Sequence, residues 1–183
     1  MEALQVSFAQ ELFGASDAEI FQDHGLLRPP CVMAHCVQMT LREEELLRSM
    51  GCAVAHCPLS NFFFAHGALP VKQLLQRGLK VGLGTDVAGG YSPSMLSAVR
   101  AAVLASKCLQ FRYLENTVGA AACRCEPLKA KEEDDLDHFQ ALYLATLGGA
   151  ESLNLADHLG TFDVGKRFDA VLLKGSKNQT REV

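Results

Sequence analysis

Leu79-Lys80-Val81-Gly82-Leu83-Gly84-Thr85-Asp86 is the stretch on which the fold turns. It is a short, largely apolar run closing on a carboxylate, and Val87-Ala88-Gly89-Gly90 follows it as a loop. Continuous apolar runs of roughly four to eight residues fit a strand buried on both faces. Toward the N-terminus the form recurs twice, as Cys52-Ala53-Val54-Ala55-His56 and as Cys31-Val32-Met33-Ala34-His35. Between those two runs, Thr40 and Glu43 have capping-box spacing, and the helix they open carries Leu46 and Leu47 and stops at Gly51. Between the second and third runs lies an aromatic loop around Phe62-Phe63-Phe64. Helical spacing follows from Leu69 to Arg77, with Pro70 near its start and Gly78 past its end. On the C-terminal side, Ser92-Pro93 reads as an N-cap with a first-turn proline. The helix it opens runs from Ser94 to about Leu109, with Met95, Val99, Ala102, Val103 and Ser106 on or near one face.

Three consecutive strand, loop and helix units predict an α/β architecture with parallel strands. Their polar residues His35, His56 and Asp86 then stand at the C-terminal strand ends, where such folds bind ligands and do chemistry.

The flanks are plainer. Val6 to Phe13 has helical spacing, and Pro29-Pro30 stops any helix. Cys123 to Asp137 reads as a linker. A helix is expected from about His138 to Leu147, Gly148-Gly149 should interrupt it, and a further helix is expected from Ala150 to Leu155. Phe168-Asp169-Ala170-Val171-Leu172-Leu173 reads as a strand, followed by a polar tail after about Gly175.

The chain of 183 residues is 49% hydrophobic and 21% charged, an ordinary globular balance, and its net charge of −4 argues against a nucleic-acid partner. The N-terminus has no basic segment leading into an apolar one, and no run of about 18 apolar residues predicts a membrane span. The seven cysteines, an odd number, are therefore expected to be reduced, and the expected location is cytoplasmic.

A lone aspartate such as Asp86 is commonly a turn carboxylate, and a lone strand-end histidine is commonly a satisfied, partly buried side chain. Three such groups converging on one rim favour a site, with Asp86 as metal ligand or general base. Cys31 with His35, and Cys52 with His56, have the short spacing of zinc-finger ligands. In a strand, however, residues four apart are separated by about 13 Å, too far for one ion. His24, His138 and His158 read as surface residues, and His66 as a weaker candidate beside the aromatic loop.

The run Val81 to Ser92, with Gly84-Thr85-Asp86 continued by Val87-Ala88-Gly89-Gly90, resembles guanine deaminases of the amidohydrolase superfamily. Val32-Met33-Ala34-His35, Ala55-His56-Cys57-Pro58-Leu59-Ser60-Asn61, Leu144 to Ala150 and Gly160 to Ala170 agree in the same order. The resemblance covers roughly Val32 to Leu173, with a divergent gap near residues 110 to 137. It implies a partial (β/α)8 metal-dependent hydrolase barrel over residues 1–155, comprising about its last three βα units. Residues 156–183 would then hold a strand of a small β-sandwich and a tail. It also implies conversion of guanine and water to xanthine and ammonia, in purine catabolism, with a zinc cofactor. Asp86 matches the family's zinc-binding, proton-accepting aspartate, His35 a catalytic histidine at the metal-bound water, and His56 and Asn61 a substrate-binding segment.

The family also carries a His-x-His pair on its first strand, and a fifth-strand histidine followed three residues later by a glutamate. Neither pattern occurs in this sequence. The expectation is a hydrolase by descent whose isolated chain is inactive, with guanine as its small-molecule substrate. The alternative is a non-catalytic remnant that binds or regulates a full-length deaminase, as a homodimer or by pairing with that relative.

Overall fold

A computed structural model describes residues 3–65, 67–118 and 135–174 of the chain. Helix α1 (Ala3–Phe13) and helix α2 (Asp17–Asp23) precede the first strand. Helix α2 opens on a capping box: Ser16 Oγ accepts from the Glu19 N–H at 3.3 Å, and Glu19 Oε2 accepts from the Ser16 N–H at 3.0 Å. Strands β1 (Val32–Ala34), β2 (Ala53–His56) and β3 (Lys80–Leu83) pair in parallel in the order β1-β2-β3. Val32 lies opposite Ala53, and Ala53 opposite Lys80.

Helix α3 (Leu41–Ser49) crosses from β1 to β2 and begins where Thr40 and Glu43 cap each other as the spacing predicts. From β2 the chain makes a single turn, α4 (Pro58–Ser60), then a five-residue π-helical segment (Asn61–Ala65), then α5 (Val71–Gln76). The aromatic stretch Phe62–Phe64 is thus wound into a helix rather than looped. Pro58 starts the winding, since a proline's missing N–H is no loss in a first turn. Asn61, buried by this winding, is held by its side chain, while the three phenylalanines stay exposed.

Helix α6 (Met95–Val118) runs well past Leu109. Ser94 rather than Ser92 sits at its start, its carbonyl and Oγ both accepting from the Ser97 N–H. Val54, Val81 and Leu83 on one face of the sheet share a single apolar core with Leu47 of α3, Leu74 of α5 and Ala98 and Ala102 of α6.

Helices α7 (His138–Ala145) and α8 (Leu147–Ser152) correct the expected boundary. The break falls at Thr146, with φ −125° and ψ −96°, and Gly148 and Gly149 lie inside α8. Packing explains this. A Cβ on Gly148 would lie 2.9 Å from the Val81 carbonyl oxygen, and one on Gly82 would lie 3.1 Å from the Gly149 Cα. The glycines let α8 press onto β3, an approach no other residue permits.

The expected strand over Phe168–Leu173 is not seen: residues 167–174 have no ladder partner among the described residues, and Phe168, Val171 and Leu172 are exposed. An isolated extended segment gains no inter-strand hydrogen bonds, so its apolar pattern alone cannot make it a strand. Strands β1 and β3 both have an open outer edge among the described residues, and Val32 and Ala34 on β1 are exposed. No helix among the described residues is long and apolar enough to cross a membrane.

Candidate active site

The parallel register brings the ends of all three strands level. The His35 N–H donates to the Ala55 carbonyl at 3.0 Å, and the Gly84 N–H donates to the His56 carbonyl at 2.9 Å. His35, His56 and Gly84 therefore close one rim, and Asp86 follows two residues beyond Gly84. At that rim the backbone leaves the strand by left-handed turns, with φ of 65° at His35, 53° at Cys36 and 49° at Asp86. Non-glycine residues in this region are uncommon and cluster where function holds a side chain in place.

His35 Nε2 faces Asp86 Oδ2 at 3.8 Å, with the two side chains 21% and 39% exposed. The other ring nitrogen of His35 is fixed: Nδ1 lies 2.8 Å from Asn61 Oδ1. An amide oxygen only accepts, so Nδ1 carries a proton, and Nε2 is the ring nitrogen turned toward Asp86. Asp86 is held by its own loop. A Cβ on Gly89 would lie 2.9 Å from Asp86 Oδ2, and one on Gly90 would lie 2.0 Å from the Thr85 carbonyl oxygen. Gly90 is thus a steric requirement of the turn that presents the carboxylate, while a side chain at Gly89 would press on the carboxylate itself.

His56 and Asn61 stand behind this pair. Both are buried, and neither His56 ring nitrogen nor Asn61 Nδ2 has a hydrogen-bond partner among the described residues. Burial, helped by the nearby positive charge His35 would carry, pushes the His56 imidazole down to about 3. His56 is therefore neutral across the physiological range and is no proton carrier. The Cys57 thiol is pushed up to about 11, chiefly by burial and then by the Asp86 charge, and its sulfur sits 3.1 Å from where a Gly84 Cβ would be. Phe63 and Tyr91, from the segments after β2 and β3, meet edge to face at 5.9 Å and are exposed.

The zinc-finger arrangement is excluded by the strands themselves, since Cys31 and His35 flank opposite ends of β1, and Cys52 and His56 those of β2. His24, His138 and His158 are exposed, and His66 lies outside the described residues. The contact between Asn61 and His35 spans 26 positions, and no local sequence pattern announces it. Its only trace is that Asn61 follows the proline-started turn after β2.

Among the described residues, no group of three or more His, Cys, Asp or Glu side chains is placed to hold a metal ion. A catalytic zinc takes three protein ligands and an open position. Asp86 with His35 offers two donors, so the residues present do not fit a zinc site on their own.

The amidohydrolase family model matches residues 6–182, and the chain belongs to that family. Within it, the chain is similar to guanine deaminases. It is 37% identical over 171 residues to a probable guanine deaminase of Schizosaccharomyces pombe, covering 92% of this chain and 29% of that protein. A crystal structure of guanine deaminase from C. acetobutylicum with bound guanine superposes with a TM-score of 0.72 at 26% identity, over 92% of this chain and 36% of that one. An adenosine deaminase from Xanthomonas campestris with bound zinc superposes with a TM-score of 0.74 at 27% identity, over 92% of this chain and 34% of that one. The chain spans about a third of the length of the curated relatives it matches.

Proposed function

We propose that this chain carries the aspartate and histidine side of a guanine deaminase active site, which converts guanine and water to xanthine and ammonia. The observation that supports it is the facing pair at 3.8 Å, His35 Nε2 and Asp86 Oδ2, in a chain so similar to guanine deaminases. A water oxygen about 2.8 Å from each group fits beside that gap. Asp86 takes a proton from this water as its oxygen adds to the ring carbon bearing the amino group, and passes the proton to the departing ammonia. His35 holds the adding oxygen, with its ring locked by Asn61. Asn61 and His56 serve this chemistry from behind, Asn61 by alignment and His56 as a neutral, buried support. Asp86 is the side chain through which this chain would contribute to a metal site.

The test has two arms. Purified chain is assayed for bound zinc and for xanthine by ultraviolet absorbance, alone and when co-expressed with the N-terminal part of a guanine deaminase. The chain alone is expected to hold no stoichiometric zinc and to form no xanthine, and the assembled pair to do both. One zinc per isolated chain with turnover would overturn the incompleteness, and an assembled pair without xanthine would overturn the deaminase reading.

The outer edge of β1 at Val32, which is exposed, favours a second reading. An unpaired strand edge is a template for another chain. As an interaction protein, the chain would bind a second copy or a full-length deaminase through that edge. Loss of the full-length enzyme's activity on titration with this chain is the result that distinguishes it.

A further inference from the structure

At the end of the sheet away from the rim, the register places Cys31 directly opposite Cys52. Val32 pairs with Ala53, and the Ala53 N–H donates to the Cys31 carbonyl at 2.9 Å, one step further back. Residues directly opposite in a sheet point to the same face, and adjacent strands run about 4.8 Å apart, inside the Cα separation that a disulfide spans. The register alone sets the two side chains next to each other. Both are free, Cys31 half-buried and Cys52 buried.

We propose that Cys31 and Cys52 form an oxidation site, closing to a disulfide that clasps the edge strand β1 to β2 when the protein meets a hydroperoxide. The asymmetry in exposure assigns the roles. Cys31, reachable from solvent, attacks the peroxide as its thiolate. The O–O bond breaks, Cys31 becomes a sulfenic acid, and the first oxygen leaves as water. The Cys52 sulfur then attacks the Cys31 sulfur. The S–S bond forms, the S–O bond breaks, and the Cys52 proton leaves with the second oxygen as water. Two thiols and one peroxide give one disulfide and two waters, so the sulfurs lose the two electrons that the peroxide gains. The closure draws the sulfurs together by a small movement of Cys31, which lies just before the first residue of an edge strand. Burial, together with the neighbouring Cys31 thiol, holds the Cys52 thiol up at about 12, so the more exposed Cys31 is the sulfur that meets the peroxide first.

Cys36 and Cys57 follow the same two strands at the rim and supply an internal control, since both are buried. The experiment treats the folded full chain with hydrogen peroxide, blocks remaining thiols, and maps tryptic peptides without reduction. The peptide ending at Arg42 carries Cys31 and Cys36, and that from Ser49 to Lys72 carries Cys52 and Cys57, so the variants identify the bond. Linked peptides are expected in the wild type and in Cys36→Ser, and are expected to be lost in Cys31→Ser and in Cys52→Ala. Linkage that survives Cys31→Ser but not Cys36→Ser overturns the proposal. So does Cys31 carried to the sulfinic acid with no linked peptide at all.

Discussion

His56 gives the structure a pH signature that can be worked through in full. Its imidazole is completely buried and held at about 3 in the folded chain, against an ordinary 6.5 in the unfolded one. Between those two values the unfolded chain binds a proton that the folded chain refuses. Stability is therefore intact above about pH 6.5 and is lost as the pH falls toward 3. Each unit of that interval is worth about 1.4 kcal/mol. By about pH 5 the loss is roughly 2 kcal/mol, and across the whole interval about 5 kcal/mol, comparable to a domain's entire stability. The informative variant is His56→Leu, which fills a similar volume and removes two buried nitrogens that have no partner among the described residues. At neutral pH this exchange is expected to be close to neutral or stabilising, because no hydrogen bond is broken. Urea unfolding of wild type and variant, at about pH 7.5 and about pH 5, isolates the histidine, since every other titrating group is common to both. The wild type is expected to lose roughly 2 kcal/mol more than the variant over that interval. Equal losses in the two proteins would refute the reasoning, as would a His56 ring resonance titrating near the ordinary histidine value.

Gly90→Ala puts a Cβ 2.0 Å from the Thr85 carbonyl oxygen, so the Asp86 loop must move, and a loss of about 1–3 kcal/mol is expected in urea unfolding. Asn61→Leu leaves the His35 Nδ1–H without its acceptor at 2.8 Å. Nitrogen-15 NMR of the imidazole is expected to show the ring no longer held in one tautomer, and xanthine formation by the assembled pair to fall about 10–100-fold. Thr40→Ala removes one half of the capping box that starts α3, for a cost of about 1 kcal/mol by the same urea assay.

The strand ends were the legible part of this sequence. Each apolar run closed on its polar residue, and the parallel register then had to bring His35, His56 and Asp86 to one rim. Capping chemistry was equally readable at Thr40, because it is written within four consecutive residues. What could not be read depends on contacts between distant segments. Gly148-Gly149 signals a break in any local reading, yet here it is the surface by which α8 meets Gly82 of β3. Phe168–Leu173 has a strand's composition but no partner strand among the described residues, and pairing, not composition, makes a strand. The division of labour at the site was hidden for the same reason. Both His56 and Asn61 are buried, and Asn61 meets His35 across 26 positions, a contact that no local pattern announces.

Asp86 is the group proposed to move the proton. The most direct measurement is xanthine formation by the chain assembled with the N-terminal part of a guanine deaminase, compared with the same assembly carrying Asp86→Asn. The amide keeps the shape of the side chain but cannot take a proton, and a fall of about 100-fold or more is expected with the complex intact. Turnover that persists at the wild-type rate in Asp86→Asn would contradict the account.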